Sequence, residues 1–189
     1  MPPSIKTEDS EWLVLYDASF PQLFQDCAQP LRTALGAAAL RIDHIGSTSI
    51  PQLAARPVID IQVSVADFEP ISSYHFPLES LGYHLHLQKP EKSMQYICKT
   101  TMQRQVHVHI RKAGGFHEQF ALLYRDYLRA HTDVAAHYAN LHLDLAQHYY
   151  QDDNYQGYTE AIKPFIWQIF AQAGKWAQQT RWSPGTSDA

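Results

Sequence analysis

Apolar and polar positions alternate in short runs through the first half of this chain, whereas the second half carries apolar positions at helical spacing. Residues 40–45 put Leu40, Ile42 and His44 on one face and Arg41, Asp43 and Ile45 on the other, which predicts a half-buried strand. Residues 57–65 repeat the pattern, with Ile59, Ile61, Val63 and Val65 on one side and Val58, Asp60, Gln62 and Ser64 on the other. Residues 105–111 alternate without a fault: Gln105, His107, His109 and Arg111 form a polar face, and Val106, Val108 and Ile110 a core face. Residues 83–88 and 94–99 read as two more strands around the polar connection Gln88–Lys92, expected to be a flexible loop at the edge of a site.

Helical spacing recurs in Phe20, Leu23, Phe24, Cys27, Leu31, Ala34 and Leu35, with Pro30 off the stripe as a kink point and Gly36 as a stop. Residues 67–81 contain a helical segment interrupted near Pro77. After Gly114-Gly115, a packed stripe of Phe116, Phe120, Leu123, Tyr124, Tyr127 and Leu128 predicts a helix with His117, Glu118, Arg125, Asp126 and Arg129 off the stripe. A second helix carries Val134, Tyr138, Leu141 and Leu145 behind a cap at Thr132 or Asp133. A third carries Tyr155, Tyr158, Ile162, Phe165, Ile166, Ile169 and Phe170, with a bend expected at Pro164. The three helices are expected to pack on each other and on the sheet.

Composition narrows the class. A chain of 189 residues, 45% hydrophobic, with a net charge of −4 and a pI near 6.2, describes one globular α/β (α+β) domain. It is expected over residues 11–182, with a sheet-rich core to about 112, a helical part from about 115, and flexible tails at 1–10 and 183–189. The charge argues against a general nucleic-acid surface. Cys27 and Cys98 lack metal-finger spacing and read as reduced thiols. No signal-type or membrane-spanning run is seen, so the expected address is cytoplasmic, with no membrane partner. The pattern does not encode an oligomeric state.

Two segments carry candidate chemistry. Gly46-Ser47-Thr48-Ser49 ends a strand with a backbone that can approach an anion closely and with hydroxyls able to donate to it. Asp60 is a carboxylate in an apolar strand, a costly placement unless it is paired, solvated or bound to a cation. His107 and His109, at i and i+2 on one strand, project the same way and can share a metal or act as general base. Arg125 offers a guanidinium fork for phosphate oxygens, while Arg129 reads as a surface ion pair.

The run HIGSTSIPQLAARPVIDIQVSV at 44–65, YRDYLRAH at 124–131 and His107-Val108-His109 together resemble the GrpB family, a branch of the nucleotidyltransferase-like superfamily. The resemblance implies a nucleotidyltransferase-like mixed β-sheet flanked by helices, with a C-terminal helical extension. In the superfamily pattern a Gly-Ser turn precedes an Asp-x-Asp or Asp-x-Glu strand, and a third carboxylate lies on a later strand. Gly46, Ser47 and Asp60 match. Gln62 stands at the second acid, and His107 and His109 where the third would lie. The family generally prefers Gly after the Pro, Lys before the next Pro, and His-Leu-His; here Gln52, Arg56 and His107-Val108-His109 replace them. Lys163 matches a family lysine and, with Arg56 and Arg125, joins the expected phosphate contacts Gly46, Ser47, Thr48 and Ser49.

The family fold would put His44 in the same sheet as Asp60, making His44, Asp60, His107 and His109 the expected metal ligands. Magnesium, manganese and zinc are the candidate cations, the histidines favouring a borderline metal over a two-magnesium carboxylate site. The expected function is binding of a nucleotide or phosphorylated small molecule, with metal-dependent nucleotidyl transfer by Asp60, His107 and His109. The alternatives are a noncatalytic ligand-binding or interaction module of the same fold and a metal-dependent hydrolase.

Overall fold

The computed structural model describes residues 13–89, 93–99, 104–150 and 155–189. Five strands form one mixed sheet: β1 (Arg41–Ile45), β2 (Val58–Val65), β3 (His84–Lys89), β4 (Ser93–Lys99) and β5 (Gln105–Lys112), in the order β1-β2-β5-β4-β3. Only β2 and β5 run parallel; the other neighbours are antiparallel. The alternation read from the sequence is the alternation of the sheet. Ile59, Ile61, Val63, Val65, Val106, Val108 and Ile110 are buried on one face against Phe20, Phe24, Ala28 and Leu31 of helix α1 (Phe20–Leu35) and Leu78 of the short helix α2 (His75–Ser80). Each such aliphatic side chain contributes about 1.5–3 kcal/mol by leaving water.

Helices α3 (Phe116–Ala130), α4 (Thr132–Tyr150) and α5 (Tyr155–Thr180) share a second core built on Leu128, Ala135, Tyr138, Ile162 and Ile169. Ile50 and Leu53, from the segment joining β1 to β2, belong to this second core and fasten that segment to the helices.

Helices α1 and α5 hold Pro30 and Pro164 within them, and Gly36 ends α1 as expected. Other expectations are corrected. Residues 67–81 contain a helical turn at Ile71–Ser73 and the 6-residue helix α2, which runs through Pro77 where an interruption was expected. Along the expected stripe of α3, Tyr127 and Leu128 are buried and Leu123 and Tyr124 pack on the second core, but Phe116 is 62% exposed, and Glu118 and Arg125, off the stripe, are buried as well. The cause is the surface it meets, because α3 covers part of the sheet's polar face, where charged groups find partners. Residues 1–12, and 90–92 of the expected loop, lie outside the described residues.

The segment 183–189 is not loose. It returns along the free edge of β1 and satisfies that edge with side chains as well as backbone. The Ile42 amide donates to Ser187 Oγ at 2.8 Å, and the His44 amide to Asp188 Oδ2 at 2.9 Å. The Ser187 hydroxyl and the Ala189 amide donate to the Ile42 carbonyl. Covering an edge in this way removes a template for unwanted strand pairing. Asp188 also accepts from Arg125 Nη1 at 2.8 Å, and the Arg125 side chain is only 4% exposed. Asp188→Ala is therefore expected to cost about 1–3 kcal/mol of unfolding free energy, because a buried guanidinium loses one of its acceptors and a strand amide its only side-chain acceptor among the described residues. Urea unfolding measures it; a change under about 0.3 kcal/mol contradicts this role.

Candidate functional site

The polar face of the sheet is built by register. Asp60 lies directly beside His107, Gln62 beside His109 and Ser64 beside Arg111 across the parallel pair β2–β5. Asp60, His107 and His109 thus converge, with one ligand atom from each lying within 4.8 Å of the others. His109 Nε2 donates to Asp60 Oδ1 at 2.9 Å. His107 Nδ1 stands 3.6 Å from the same oxygen.

His107 is held at both ends. Gln95 Nε2 donates to its Nδ1 at 3.2 Å, and its Nε2 donates to Gln105 Oε1 at 3.2 Å. The proton therefore sits on Nε2, and the Nδ1 lone pair accepts from Gln95 with Asp60 3.6 Å away. A cation between Nδ1 and Asp60 would take that lone pair in place of the Gln95 amide. The trio is 10–19% exposed by side chain, so it is sheltered without being sealed. Burial works to raise the Asp60 pKa, but the imidazoles of His107 and His109 outweigh it and hold the carboxyl well below its usual range. Asp60 is charged throughout the physiological range.

The turn after β1 is shaped around this carboxylate. Gly46 has φ +73° and ψ −176°, a conformation close to exclusive to glycine. A Cβ there would stand 2.5 Å from Asp60 Oδ2. Of the hydroxyls that follow, Thr48 donates to the Val58 carbonyl and Ser49 to the Gly46 carbonyl, and both are buried. They brace the turn. Ser47 is half-buried.

The other expected site residues lie elsewhere. His44 pairs with Ile61, not Asp60, so its side chain is on the core face. It stacks on Phe24 with ring centroids 4.8 Å apart, and its Nε2 donates to Thr48 Oγ1 at 3.1 Å. The register removes it from the metal set. Arg125 is tied to Asp126, Asp188 and the His44 carbonyl, with Asp43 at 3.7 Å, and so joins the elements rather than facing the trio. Arg129 donates to the Ser49 carbonyl, bracing the turn from behind where a surface ion pair was expected. Lys163 pairs with Glu160 on the exposed side of α5. Arg56 is half-buried, and its charge is felt by His142 of α4.

Three further residues take part that the sequence pattern does not mark as site residues. Gln95 and Gln105 orient His107, and Arg111 donates to Gln62 Oε1 at 2.6 Å. Perfect alternation places Arg111 and Gln105 on the histidine face; the strand that carries Gln95 has no such signal. Burial pushes the Arg111 guanidinium down to about 10, against the opposing pull of Asp60 and Glu118.

Burial drives the imidazole of His44 down to about 3, helped by Arg129 and Arg125, and that of His142 to about 4, helped by Arg56. An unfolded histidine protonates near pH 6.5, so between that value and the folded one the unfolded chain binds more protons. Stability from these two groups is complete above the unfolded pKa and is lost as pH falls. Wild type is expected to lose about 2 kcal/mol of its advantage over His44→Gln, and a similar amount over His142→Gln, between pH 7 and pH 5. Parallel urea titrations at the two pH values read this difference, and an unchanged gap contradicts buried neutral imidazoles.

Comparison with known proteins fits this geometry. The family described as GrpB protein matches residues 12–172. The chain belongs to the GrpB family. A UPF0157 protein of Halalkalibacterium halodurans is 33% identical over 161 residues, covering 85% of this chain and 81% of that protein. A protein of Mycolicibacterium paratuberculosis named dephospho-CoA kinase is 30% identical over 203 aligned positions, and the chain spans about half of its length, 48%. Among solved structures, the conserved protein GrpB from Enterococcus faecalis superposes with a TM-score of 0.76 at 31% identity, covering 86% of this chain and 97% of that one. A cytoplasmic RNA terminal U-transferase shares the fold with a TM-score of 0.52 at 13% identity, over 73% of this chain and 42% of that one. The family member is therefore a mixed α+β protein of nucleotidyltransferase-like fold. Among the described residues, no helix is long and apolar enough to cross a membrane.

Proposed function

We propose that this GrpB protein binds one divalent cation through Asp60, His107 and His109 and, with it, a nucleotide or other phosphorylated small molecule. The observation that carries the reading is the convergence of one ionised carboxylate and two imidazoles, their ligand atoms within 4.8 Å of one another. The donor set fits a single borderline cation such as zinc or manganese and leaves coordination positions for a ligand. It does not fit a pair of magnesium ions, because the position of a second carboxylate is Gln62, whose carbonyl oxygen is already taken by Arg111.

The cation, when bound, supplies a Lewis acid that polarises a phosphoryl oxygen. The chain's own residues do the rest. Asp60 brings the charge, Gln105 fixes the His107 tautomer, and Ser47 with the glycine turn offers donors. Nucleotidyl transfer is the reaction the shared fold supports. Gln62 favours one second reading, a protein of the same fold that binds its ligand without turning it over.

Calorimetric titration with nucleoside triphosphates, with and without magnesium, manganese or zinc, tests the proposal. Binding strengthened by the cation is expected. Equal binding in its absence, or none with any cation, contradicts it, and a released nucleotidyl product separates transferase from binder.

A further inference from the structure

Arg111 is a cation with no counter-charge in contact among the described residues. It lies two positions beyond His109, so the alternation of β5 puts it on the face of the trio. Its Nη1 donates to Gln62 Oε1 at 2.6 Å and to the His117 carbonyl at 2.8 Å, both neutral acceptors. Among the described residues its Nε is buried without a partner, and so are Gln62 Nε2 and Ser64 Oγ on the neighbouring strand. No carboxylate reaches ion-pair distance of Arg111 among the described residues, although Arg41, Arg104 and Arg125 of the same fold each have one.

Three neighbouring orphans of this kind are costly. A buried donor without an acceptor is costly, and Arg111, half-buried, has no carboxylate in contact among the described residues to compensate its charge. Two N–H groups and a hydroxyl able to donate are gathered where the described residues supply no acceptor, an environment complementary to the oxygens of an anion. A neutral ligand would satisfy some of the hydrogen bonds and leave the charge uncompensated. Gln62 explains how the guanidinium is held there: a second carboxylate would neutralise Arg111, whereas the amide oxygen seats it and leaves its charge available.

We propose that Arg111, seated on Gln62, is the oxyanion-binding residue of this site, taking a phosphoryl oxygen of the ligand whose other oxygens reach the cation held by Asp60, His107 and His109. The placement of those other oxygens rests on the metal reading above; the contact between Arg111 and the anion does not. A guanidinium fork matches phosphoryl oxygens in a way an ammonium cannot, so lysine is an incomplete substitute.

The experiment titrates wild type with inorganic phosphate, metal-free and zinc-loaded, following the Arg111 Nε–H resonance identified by its loss in Arg111→Lys. Calorimetry on wild type, Arg111→Lys and Arg111→Gln runs beside it, with zinc content measured for each. A saturable shift of that resonance is expected in both metal states, and phosphate affinity at least about tenfold weaker in Arg111→Gln, which is about 1.4 kcal/mol, with zinc content unchanged. Arg111→Lys should recover only part of the loss. A resonance indifferent to phosphate in both states, or equal affinity in Arg111→Gln, overturns the proposal. Adenosine monophosphate and ribose 5-phosphate distinguish a nucleotide from a sugar phosphate as the source of the group; either one holding its full affinity in Arg111→Gln also overturns it. Wild type that takes phosphate on Arg111 but no zinc removes the metal reading and leaves this one standing. Zinc without phosphate on Arg111 does the reverse.

Discussion

Gly46→Ala is expected to lower unfolding free energy by about 2–4 kcal/mol and to weaken cation binding at least about tenfold, from the addition of one methyl group. Two costs combine. The backbone at φ +73° and ψ −176° is strained for any residue with a Cβ, and the added carbon would stand 2.5 Å from Asp60 Oδ2 and 3.0 Å from Asp60 Cβ. The carboxylate is the nearer neighbour, so it must move off His109. Gly36 provides the control: it also has positive φ, +51°, but a Cβ placed there would meet nothing within 4 Å. Gly36→Ala should show strain alone, with cation affinity unchanged. Equal effects of both substitutions on cation affinity would contradict the packing of the turn against Asp60.

Asp60→Asn should have the largest effect on binding, at least about 100-fold in cation affinity, since even outer partners of a metal site are worth about 10–100-fold. The amide keeps the shape and removes the only negative charge of the trio. Zinc competition against a chromophoric chelator reads the change, and affinity within about threefold of wild type contradicts Asp60 as a ligand.

Strand pattern is the most legible feature of this chain, because apolar alternation in Ile59–Val65 and Val106–Ile110 reports burial directly. The pairing of β2 with β5 is not legible, yet pairing is what brings Asp60 beside His107. His44 shows the limit of reasoning from shared sheets. Its own alternation with Ile42 puts it on the core face, and a residue on the right sheet with the wrong parity cannot join the site. Arg125 and Glu118 are misplaced by the pattern for a related reason: the aromatic stripe on α3 looks like its one packed face, but the helix also packs a second, polar face on the sheet. The segment 183–189, rich in Pro, Gly and Ser, has the composition of a loose end. Its docking depends on Ser187 and Asp188 meeting the unpaired amides of β1, a contact between positions about 145 residues apart that no local pattern reports.

Whether Asp60, His107 and His109 hold one cation together is tested most directly by X-ray absorption at the zinc edge on purified, zinc-loaded protein, with His107→Ala and His109→Ala measured beside wild type. One zinc per chain is predicted, with scattering from two imidazoles in wild type and from one in each variant. Zinc that is absent, or bound with an imidazole count indifferent to both substitutions, would contradict the site.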